Sequence, residues 1–192
     1  MKIQIKTALL ALALSMSSSL WASEQYQIDT KGMHASIEFK IKHLGISWLK
    51  GRFNDFSGEF NFDEKNPASS SVEVSIDTAS LDSNHGERDK HLRSKDFLDV
   101  KKFPKATFKS TKVVSDGNGV AKIHGDLTLH GVTRNIVINA KQIGAGNDPW
   151  GGFRRGFEGS TKISLHDFNI NFNLGPASKE VELKLYIEGI RK

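Results

Sequence analysis

The stretch Ala121-Lys122-Ile123-His124-Gly125-Asp126-Leu127-Thr128-Leu129-His130-Gly131-Val132-Thr133-Arg134-Asn135-Ile136-Val137-Ile138-Asn139-Ala140 decides the fold. Ala121, Ile123, Gly125, Leu127 and Leu129 alternate with polar residues, the pattern of a strand with one buried and one wet face. His130-Gly131 interrupts it, and Ile136, Ile138 and Ala140 resume the alternation. Two strands joined by so short a link must be antiparallel neighbours, because parallel neighbours need a long crossover.

The same rule extends along the chain. Tyr26 and Ile28 alternate with polar neighbours, as do Ala35, Ile37, Phe39 and Ile41. Phe56, Gly58, Phe60 and Phe62 follow it, then Val72, Val74, Ile76 and Thr78. Residues 107–113 follow it less cleanly; Thr161, Ile163 and Leu165 come later, and Val181, Leu183, Leu185, Ile187 and Gly189 close the series. Ser115-Asp116-Gly117-Asn118-Gly119 is a hairpin loop, and Asn66-Pro67-Ala68-Ser69-Ser70-Ser71 is a polar connection. About eight strands of this length suit a small up-and-down barrel.

Two segments break the alternation. Residues 81–100 are charged, with helical spacing, and predict a short helical insertion around 84–100. Asn84 is placed to cap a first helix, and Ser94 to cap a second with Asp96 in its first turn. Residues 144–152 read as a flexible loop carrying Trp150.

The first 22 residues stand apart. Lys2 and Lys6 precede an apolar run from Thr7 to Leu14, and the residues up to Ala22 are mostly small, the layout of a secretory signal peptide. The run is too short to cross a bilayer as a helix, which takes roughly 20 apolar residues. Cleavage after Ala22 would leave a single domain over residues 23–192. It would remove two lysines and no acid, lowering the formal charge of the 192-residue chain from +5 to +3. With so mild a charge and no basic-aromatic stripe, nucleic acid is not an expected partner, although weak attraction to anionic membrane lipid is compatible with it. There is no cysteine, so neither disulfides nor thiolate metal sites are available.

No catalytic set is evident. His85 and His91 are six apart, as are His124 and His130, and no H-E-x-x-H occurs. On a strand that spacing separates two imidazoles by roughly 20 Å, too far to share a metal. The charged segment places Asp82, Glu87, Arg88, Asp89, His91 and Asp96 together, a set suited to acid-base work or to a salt-bridged lid. Cysteine nucleophiles and a G-x-S-x-G elbow are both absent. Twelve Phe are the remaining signal. They either fill a core or line a tunnel, and periodicity leaves both open.

Several motifs then carry a resemblance. They include His43-Leu44-Gly45 ahead of Gly51-Arg52-Phe53, Phe56-Ser57-Gly58, Arg88-Asp89-x-His91-Leu92 and Ser94-x-Asp96-Phe97-x-Asp99. Phe103-Pro104-x-Ala106-Thr107-Phe108 follows, and Gly125 through Thr133 is the most specific piece. In these the chain resembles the YceI-like proteins, a group of bacterial lipocalin-like proteins, over essentially all of residues 23–192. One motif departs: many relatives read Arg-x-Asp-Phe-Gly where this chain has Leu165-His166-Asp167-Phe168-Asn169.

The resemblance implies an all-β fold, a single antiparallel lipocalin-like eight-stranded barrel with an elongated apolar cavity. It also implies a periplasmic location and a ligand such as an isoprenoid lipid or a quinone-like amphiphile. On this reading Phe39, Phe60, Phe108, Leu127, Leu129 and Phe153 line the tunnel. Leu92 and Phe97 cover one opening, and His43, Arg88 and His91 meet the polar head. The expected role is a carrier or store in transient contact with membrane lipid, with no catalytic residue, cofactor or metal. Two copies could pair as a homodimer through barrel edges or the 81–100 segment. Two other roles stay open: an enzyme acting on a lipid or small amphiphile through His43, Arg88, Asp89 and His91, and a stress-response module that binds a protein and has a filled barrel.

Overall fold

The computed structural model describes residues 23–192. The expected signal peptide, residues 1–22 with its cut after Ala22, lies outside them. Among the described residues the strands are β1 (Glu24–Ile28), β2 (Ser36–His43), β3 (Ser47–Phe53), β4 (Phe56–Phe62), β5 (Ser71–Asp77), β6 (Leu81–Asp82), β7 (Lys105–Ser115), β8 (Val120–Leu129), β9 (Val132–Asn147), β10 (Phe153–Ser164) and β11 (Glu180–Arg191). One short helix, α1 (Gly86–Leu92), interrupts them.

These strands make a closed antiparallel barrel of eight paths. The order is β1-β4-β5-β7-β8-β9-β10-β11, and β1 returns to β11. Strands β2, β3 and β6 prolong β1, β4 and β5 below a shared kink. β2 pairs with β11 through Val181–Tyr186, and β1 pairs with the same strand through Gly189–Arg191. The kinks fall at residues 29–35, at Asn54–Asp55 and at the 3-10 turn Thr78–Ser80. Hydrogen bonds hold them in line: Asn54 N–H donates to the Ser80 carbonyl, and Asp77 N–H to that of Asp55. Thr78 is almost wholly buried and its hydroxyl donates to the Phe103 carbonyl at 2.7 Å.

The alternation of β8 is realised directly. Gly125, Leu127 and Leu129 are buried while Lys122 and Asp126 are exposed or nearly so. His130 and Gly131 both take positive φ, 51° and 74°, the two-residue turn whose twist matches its flanking strands. Asymmetric packing also explains some glycines. The Phe60 ring lies where a Cβ on Gly189 would sit, and the Phe108 ring does the same over Gly125. A ring laid over a glycine restores the apolar cover the missing side chain would give.

The structure corrects three expectations. The cap of α1 is His85, whose side chain accepts from Arg88 N–H, whereas Asn84 sits before it with φ of 61°. No second α-helix forms after Ser94; turns linked by Asp99 N–H to the Ser94 carbonyl fill residues 94–103. Residues 144–147 continue β9, and the tip beyond them is tied down. Asp148 accepts from the N–H groups of Trp150 and Gly152 and from Arg154 Nε at 2.7 Å.

Candidate functional site

The barrel interior is apolar but not filled by its own side chains. A cavity of about 510 Å³ lies within it, in the range usual for small-molecule sites. Its walls come from inward positions of β4, β5 and β7–β11, chiefly Phe60, Val74, Phe108, Leu127, Ile138 and Leu185. It opens at one end, between the β4–β5 connection (Glu64, Pro67, Ser70), the β7–β8 hairpin (Gly117–Gly119) and Ile143, which is 67% exposed.

The opposite end is plugged. Phe97, Leu98, Leu129, Phe168 and Ile170 are buried there as part of the core. The Phe168 carbonyl is 3.0 Å from His130 Nδ1, and the Phe103 ring packs on the same imidazole. Beside the mouth stands an aromatic layer. Tyr26 stacks on Phe60 at 4.7 Å, and Phe157 meets Phe60 edge-on at 5.5 Å. Arg155, 3% exposed, is embedded in this layer. It donates to the Tyr26 hydroxyl and to Gln142 and lies over the Phe62 ring at 4.1 Å. Burial is the first cause that raises the Tyr26 hydroxyl above its ordinary value, with the hydrogen bond to Glu24 adding to it.

The residues expected from sequence divide by place. Phe60, Phe108 and Leu127 line the cavity. Phe39 lies over Gly51 against Phe53, Leu129 belongs to the plug, and Phe153 sits at the rim under Arg191. Arg88 donates to the Ser83 hydroxyl and carbonyl, and buried Asp89 accepts from the Ser83 N–H and hydroxyl, so the pair pins α1 to the end of β6. His91 is 3.2 Å from Asp96 and packs on Phe97 and Phe172. Leu92 is half-buried against the core, and His43 is exposed at the end of β2. His43, Arg88, Asp89 and His91 therefore line no part of the cavity. Sequence reasoning missed Tyr26 and Arg155; a cation at an inward position of a strand was the available signal.

One further cluster lies outside the barrel. Asp29, His34 and Glu188 bring ligand atoms within 4.8 Å of one another. Arg154 sits among them, 2.7 Å from Asp29 and 2.6 Å from Glu188. Burial alone would raise the Asp29 carboxyl, but hydrogen bonds from His34, Arg154 and Gly32 N–H outweigh it and hold it down at about 2. The Arg154 guanidinium supplies the positive charge a cation would bring, so the cluster is a salt-bridge knot.

A closed antiparallel barrel with an apolar cavity and one mouth defines a binding protein of lipocalin-like architecture. Residues 26–189 match the YceI-like domain, and the chain belongs to that family. A UPF0312 protein of Pseudomonas paraeruginosa is 59% identical over 185 residues, 94% of this chain and 96% of that one. A UPF0312 protein of Vibrio parahaemolyticus is 59% identical over 182 residues, 94% and 95% of the two chains. Among solved structures, the Campylobacter jejuni YceI protein superposes with a TM-score of 0.71 at 33% identity, covering 79% of this chain and 90% of that one. A polyisoprenoid binding domain from Saccharophagus degradans shares the fold, with a TM-score of 0.64 at 15% identity, covering 87% and 98%.

Proposed function

We propose that this protein carries or stores an isoprenoid lipid or a similar long amphiphile, with the apolar chain held in the barrel. The observation that supports it most is the cavity of about 510 Å³ walled by Phe, Leu, Ile and Val side chains. Removing each ~100 Å² of hydrocarbon from water contributes about 2.5 kcal/mol, part of which is offset by ordering the chain. The fold shared with a polyisoprenoid binding domain favours the same class of ligand. The signal-peptide layout of the amino-terminal sequence supports the periplasm as the place of action on this reading, with a membrane as the source of the lipid. Protein purified from a lipid-replete host, extracted with organic solvent and analysed by mass spectrometry, should yield a long-chain lipid in near-stoichiometric amount. Recovery of none would overturn the carrier reading.

A further inference from the structure

The barrel wall has a slot. β9 and β10 are paired from Asn147↔Phe153 to Asn139↔Ser160, and the register ends there. Beyond it, residues 132–138 of β9 pair only with β8, and residues 161–164 of β10 pair only with β11. A groove of about 610 Å³ occupies the separation. Ile136, Thr161 and Leu183 line this groove and the internal cavity alike, so one layer of side chains is all that divides them.

The charge pattern matches an opening. Arg134 pairs across from Leu127, which points inward, so Arg134 stands in the inward row of Val132, Ile136 and Ile138. A cation in such a row would be costly to bury. Arg134 is nevertheless exposed, because the wall is parted where it stands. The groove also carries Lys162, Lys184, Asp167 and Glu182. Glu182 is taken up by Lys40 and Lys162, while Arg134 and Lys184 form no ion pair among the described residues. The mouth has the opposite sign, since the charged residues lining the cavity there are Glu64 and Glu158. An anionic head is repelled at the mouth and attracted at the slot. Arg155 does not offset this, being held by Tyr26 and Gln142 and covered by Phe62.

We infer that the slot is a second, lateral opening, and that it seats the anionic head of a single-chain amphiphile whose hydrocarbon runs into the cavity. This rests on the carrier reading and adds the ligand's charge and its orientation. The probes are hexadecyl phosphate, palmitate and hexadecanol, which share one chain length and differ in head. Arg134→Gln should weaken the binding of an anionic probe roughly five- to tenfold, the scale of one lost charge-assisted hydrogen bond. It should leave hexadecanol within about twofold, and Arg134→Lys should restore most of the loss. A loss for phosphate alone or for carboxylate alone names the head that is preferred. Equal losses for all three probes, or a loss of anion binding with Glu158→Gln at the mouth instead, would overturn the slot. Failure of the unmodified protein to bind any of the three would remove the carrier reading itself.

Discussion

Single residues set the electrostatic limits of this barrel. Asp29 is buried, and its carboxyl is lowered from 3.8 to about 2 by His34, Arg154 and the Gly32 N–H acting against burial. A depressed carboxyl stabilises the fold fully above its unfolded value and loses that contribution as pH falls through the folded one. About 1–2 kcal/mol should therefore disappear between pH 4 and pH 2. Asp29→Asn should cost a similar amount at neutral pH and flatten the melting temperature across that acid window. An unchanged acid profile in this variant would show that Arg154 is held equally well by Asp148 and Glu188 alone.

Elements differ in how openly the sequence declares them. β8 and β11 alternate without a break, because one face meets the core and the other meets water along their whole length. β3 was not legible: in Ser47-Trp48-Leu49-Lys50-Gly51-Arg52-Phe53 the inner row of Leu49, Gly51 and Phe53 is short, interrupted by the glycine and only half-buried below the kink, and Trp48 stands on the outer face. The upper half of β10 hides for another reason. Its inward positions hold Arg155 and Gly159 beside Phe153 and Phe157, so neighbouring strands set its burial. The inward register was legible, and with it Phe60, Phe108 and Leu127. Which inward residues border open space and which form the plug was not, since that depends on where residues 165–170 cross the barrel end. Leu127→Asp tests the register: an unpaired charge among apolar walls should lower stability by several kcal/mol, read from a urea melt. Normal stability would place Leu127 on the wet face.

For the whole molecule, holding a hollow is a cost accepted in packing. An interior filled to native density would be more stable, since empty space forfeits dispersion contacts. Ala140, buried on the cavity wall, is a position from which to fill it. Ala140→Phe should hold its melting temperature within a few degrees while the extractable lipid falls away. A large drop in melting temperature would mean the walls cannot accept a ring, and a full lipid load in the folded variant would place the ligand elsewhere.

The seam between the first and last strands has its own consequence. Three residue pairs, Tyr26↔Arg191 to Ile28↔Gly189, zip the ends together, Arg191 to Glu24 fastens them, and Lys192 reaches past β1 to Glu59 of β4, each ion pair at 2.6 Å. A polypeptide made from its amino terminus must wait for the twelve residues of β11 before the cylinder can shut. Until then it is an open ribbon with two raw borders, each a template for sticking to a neighbour. A premature stop within β11 therefore matters to this protein far more than the few residues lost would suggest.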